Sequence, residues 1–88
     1  MSDEKLQAEE AAGKAAEDFL ASPAYQAARE NLLRSCYQQW LASPLADQAG
    51  REALYFTAQA ARRLDTELDA IKGAGTLASN TLRQRGKK

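Results

Sequence analysis

Chemistry needs side chains that titrate, attack or ligate, and this sequence has few. It contains no histidine and one cysteine, Cys36. A serine or cysteine nucleophile needs a base beside it, and Cys36 has no obvious activating partner. It falls on an apolar helical stripe, where a small core residue is expected. Zinc sites built from Cys and His are excluded by the same counts. Asp65, Glu67 and Asp69 alternate along the chain, do not share one helical face, and read as a solvated surface. The segment "KGAGT" has two glycines but lacks the length and flanks of a phosphate-binding loop. No catalytic, cofactor-binding or metal-binding residue is assigned, no cofactor is expected, and the chain reads as a non-enzyme.

Charge leaves one binding chemistry to weigh. The net charge is zero, yet residues 1–21 hold six acids against two bases, and residues 73–88 hold four bases and no acid. Arg62, Arg63, Arg83, Arg85, Lys87 and Lys88 are the candidate contacts to nucleic-acid phosphates. A pI near 6.2 argues against a dedicated DNA-binding domain. Nucleic acid is therefore the second reading, and occlusion of a host enzyme by the acidic face is the third. The acidic N-terminus lacks the apolar core of a signal peptide, and no run approaches the ~20 apolar residues that span a bilayer. A single cysteine permits no internal disulfide, so a reducing, cytoplasmic location is expected.

The elements that must position these residues are announced by a near-repeat. "FLASPAYQAARENL" (19–32) is followed by "WLASPLADQAGREAL" (40–54). Proline disfavours helix in the residue before it and suits the first position of a new helix. Serine before it is a good N-cap. Ser22-Pro23 and Ser43-Pro44 are thus expected to end one helix and begin another. β-Branched residues are nearly absent, and nothing alternates as a strand does. The reading is all-α, a single small domain over 1–88. An acidic helix fills the segment 1–21, and an antiparallel helical hairpin (about 23–41 and 47–72) occupies 22–72. Gly73 and Gly75 are expected to stop the last hairpin helix. The segment 73–88 would then be a largely flexible basic tail, with at most a short helix near Thr76–Gln84.

Leu54, Thr57, Ala61, Leu64, Leu68 and Ile71 advance by three and four, a coiled-coil-like seam. The acidic helix offers mostly alanine and is expected to be a poor lid. The hairpin then carries more apolar surface than it can cover. Tyr37, Trp40, Leu54, Tyr55, Phe56, Leu64, Leu68 and Ile71 are the expected contact residues for a second copy or another helical protein.

The pattern "AEDFLASPAYQAARENLL", then "QQWLASP", then "GREALYFTAQAARRLDTELDAI" resembles a class of small helical proteins encoded by tailed bacteriophages and prophages. The resemblance spans roughly Ala15 to Ile71, and "FLASP" is its specific piece. It implies a virion-assembly or accessory role through protein–protein contact, with itself or with a virion or packaging protein. It carries over no catalytic residues.

Overall fold

The computed structural model describes residues 2–86. Three helices account for nearly all of them: α1 (Asp3–Ala21), α2 (Pro23–Ala42) and α3 (Gln48–Gly86). The all-α expectation holds, with no strand among the described residues.

The helix boundaries follow from local chemistry. Ser2 caps α1 by accepting from the Lys5 N–H at 3.2 Å. Ser22 ends α1 and begins α2. Its N–H donates to the Phe19 carbonyl at 3.1 Å, and its hydroxyl accepts from the Tyr25 N–H at 3.1 Å. Pro23 takes the first turn of α2, where its missing N–H is harmless. Ser43 also closes a helix, but it does not open the next one. Its hydroxyl donates back to the Trp40 carbonyl at 2.6 Å. A turn at Pro44–Asp47 intervenes, and Asp47 caps α3 by accepting from the Gly50 N–H at 3.0 Å. The two Ser-Pro steps thus share the stop and differ in the start.

The third helix overturns the expected boundary at residue 73. It runs on through Gly73 and Gly75 for 39 residues in all. Glycine ends a helix by entering the left-handed region, and no described glycine has a positive φ. Helix formers surround both glycines, and α1 packs over this stretch. The expected tail helix is therefore the last part of α3, and residues 73–86 are not a flexible tail. Lys87 and Lys88 lie outside the described residues.

Packing is antiparallel and continuous. α1 lies along the C-terminal half of α3, and α2 along its N-terminal half. One register runs from the Asp3–Arg85 ion pair through Gly13–Gly75 to the Tyr25–Asp65 hydrogen bond and the stacking of Arg51 on Trp40. The inward rows repeat every seven residues. Leu54, Ala61, Leu68, Gly75 and Leu82 form the row on α3, and Leu6, Gly13 and Leu20 form the row on α1; all are buried or half-buried. That period gives a left-handed pairing of helices.

The first helix is the closest-packed lid, contrary to the sequence expectation. Its small residues are the reason. Gly13 and Gly75 let two backbones touch: a Cβ on Gly13 would sit 2.6 Å from the Gly75 Cα. Leu6, Ala16 and Ala78 are buried around this crossing. Cys36 is buried on α2, as its place on the stripe predicts. The outcome is one layer of helix pairs, 66 × 25 × 14 Å. Its radius of gyration is 18.8 Å, against about 12 Å for a compact domain of this length.

Candidate interaction surface

A slab two helices wide has two broad sides, and they differ in chemistry. On one side, two shallow grooves follow the seam and meet at Lys72. The groove beside α1 is lined by Glu10, Lys14, Glu17, Asn80 and Arg83. The groove beside α2 is lined by Arg29, Glu30, Arg34, Asp65 and Asp69. Within these grooves, Arg34 pairs with Glu30 one turn away at 3.0 Å. Lys14 pairs with Asp18 at 3.0 Å, and this hydrogen bond raises the lysine pKa.

The polar centre of that side is Asp65. Its carboxylate accepts from the Tyr25 hydroxyl and from Arg29 across the α2–α3 seam. The Tyr25 hydrogen bond is the largest cause holding the Asp65 pKa below its usual range; Arg29 adds to it, against partial desolvation. The same hydrogen bond raises the pKa of Tyr25, since losing the proton would break it. Asp65 is therefore a held ion, not the free surface charge expected from sequence. A signal was present: Asp65 falls within the inward pattern of Leu54, Ala58, Ala61 and Leu68, where an acid demands a partner.

The other side follows from helical spacing. On α3, Ala53, Ala60, Glu67 and Ala74 form one row, and Thr57, Leu64 and Ile71 form the next. On α2, Ala24, Ala28, Leu32, Ser35 and Gln39 turn the same way, because Arg29, Glu30 and Arg34 are committed to the groove side. Glu67 is the one charge in those rows. Phe19, at the end of α1, packs its ring 4.5 Å from that of Tyr25. Leu64 and Ile71 remain 52% and 43% exposed.

The expected contact residues are divided by this geometry. Leu54 and Leu68 turn into the seam. Leu64 and Ile71 sit on the charge-poor side, with Phe56 at its outer edge. Tyr37, Trp40 and Tyr55 belong toward the charged side, where Arg51 lies 4.3 Å over the Trp40 ring. Tyr55 meets Phe56 edge-on at 5.7 Å and accepts from Gln59 at 2.9 Å. Among the described residues the expected nucleic-acid contacts do not converge. Arg62 and Arg63 are exposed mid-helix. Arg83 lies roughly 30 Å further along α3, at 1.5 Å of rise per residue, and Arg85 pairs with Asp3.

Among the described residues no cluster of His, Cys, Asp and Glu is arranged to hold a metal. No helix there is long and apolar enough to cross a membrane. No family model, curated protein or solved structure matches the chain.

Proposed function

We propose that this chain is a non-enzymatic interaction protein that works by helix–helix contact. Its role would be the virion-assembly or accessory one that its resemblance to small phage proteins implies. The observation that supports this most is the charge-poor side of the slab. Helix surfaces facing water normally carry charge, yet α2 shows alanines, Leu32, Ser35 and Gln39 there. The second support is the short list of buried apolar residues: Leu6, Ala16, Cys36 and Ala78. A chain that buries so little by itself gains from a partner. The basic residues support the nucleic-acid reading less, since they are dispersed along α3 and one is tied to Asp3.

The test is co-purification. The tagged chain is expressed with the products of its neighbouring genes, and bound proteins are recovered after a high-salt wash. Retention of a virion or packaging protein is expected. Recovery of nucleic acid in place of protein would overturn the reading.

A further inference from the structure

We infer that the charge-poor side is a self-association surface: two copies stack these faces together, closing the two one-layer slabs into a two-layer bundle of six helices, four in any cross-section. The inference rests on the interaction reading above and names the partner as a second copy of the chain.

The amount of open surface carries the argument. The chain exposes 6660 Å². A compact protein of its 9.6 kDa exposes about 5,100 Å² by the usual scaling with mass. The surplus of roughly 1,500 Å² exceeds the ~800 Å² that each partner of an ordinary stable interface gives up. A face 66 Å long and 25 Å wide is large enough to hide that much.

The chemistry of the two sides decides which one is hidden. The groove side carries ion pairs and the Asp65 cluster, all costly to desolvate. The opposite side carries Leu32, Leu64 and Ile71 set among the alanines of α2 and α3, and small residues let helices approach closely. A second copy presents the same pattern, so a two-fold axis satisfies both faces at once. Glu67 lies one heptad from Ala60 in the same row, so its charge is on this face as well.

The experiment is sedimentation equilibrium over a wide concentration range, with circular dichroism on the same samples. The wild type is expected to be a dimer at high concentration. Ala28→Arg and Ala60→Arg place long cations on the face at exposed helical positions. Arginine is nearly as good a helix former as alanine, so helicity should be kept. Each variant should weaken the dimer about tenfold or more. Tyr37→Arg and Tyr55→Arg, toward the other side, should leave it unchanged. A wild type that stays helical and monomeric at every concentration overturns the inference. So does a dimer that ignores Ala28→Arg and Ala60→Arg. Neither result touches co-purification with a foreign protein, so failure of the dimer and failure of the interaction reading are distinct.

Discussion

Gly13 and Gly75 face each other across the α1–α3 seam with no side chain between them. A Cβ on Gly75 would lie 2.6 Å from the Gly13 Cα and 3.0 Å from the Glu9 carbonyl oxygen. Neither obstacle is a flexible side chain, so a methyl group must push two helices apart. Gly13→Ala and Gly75→Ala are each expected to destabilise the fold by about 1–3 kcal/mol, the cost of overpacking. Gly73, two residues away, has nothing within 4 Å of its would-be Cβ. Gly73→Ala should stabilise by roughly 0.5–1 kcal/mol through helix propensity alone. Urea midpoints of the three variants check this, and the same sign for Gly73 and Gly75 would refute the close crossing.

The cluster at Asp65 sets a pH dependence. Its pKa is lowered on folding, so its contribution is present above the unfolded value of about 3.9. That contribution is lost as pH falls from there through the lower folded value. The Tyr25 pKa is raised, so its contribution is present below about 10 and is lost as pH rises through the higher folded value. Asp65→Asn should flatten the acid limb of a stability–pH profile, and Tyr25→Phe the alkaline limb. A profile unchanged in Asp65→Asn would show that the hydrogen bond contributes nothing to stability.

Truncation separates a packed end from a loose one. A stop after Gln84 removes the Arg85 partner of Asp3 but keeps Leu82, and should lower stability only slightly, as surface ion pairs do. A stop after Gly73 removes Gly75, Ala78 and Leu82, all facing α1. Most of α1 should then lose helix. Far-UV circular dichroism reads the difference; equal helix loss in both truncations would refute the packing of α1 on this segment.

The caps make a fourth comparison. Ser22→Ala removes the acceptor for the Tyr25 N–H, and Asp47→Ala the acceptor for the Gly50 N–H. Each is expected to cost about 1 kcal/mol. Ser43→Ala should cost less, because its hydroxyl only donates to a carbonyl at a helix end. Thermal midpoints give the ranking.

Much of this fold was legible in the sequence. The Ser-Pro steps, the stripe through Cys36 and the row from Leu54 to Leu68 are local patterns, and local patterns decide where helices begin and which way they face. What was missed depends on pairing. Gly75 reads as a stop signal until Gly13 is set against it, and then the same residue is a contact. The alanines of α1 look like poor core material when judged by the area each one buries. Paired with glycine, they let the helix axes draw close. Asp65 was misread because its partners, Tyr25 and Arg29, are 40 and 36 residues away. The excess of apolar side chains was legible in the sequence, and Leu64 and Ile71 are indeed left half open. Which side of the slab bears it required the third dimension.

The Asp3–Arg85 pair places both ends of the described chain at one tip of the rod, and the Pro44–Asp47 turn at the other. The molecule is therefore built like a tuning fork closed at the turn. Anything attached at either end shares one address, and the distant turn, with Leu45 standing 86% exposed, is left as an unencumbered probe. A tag at either terminus thus leaves the far tip free, while an insertion after Leu45 marks that tip alone.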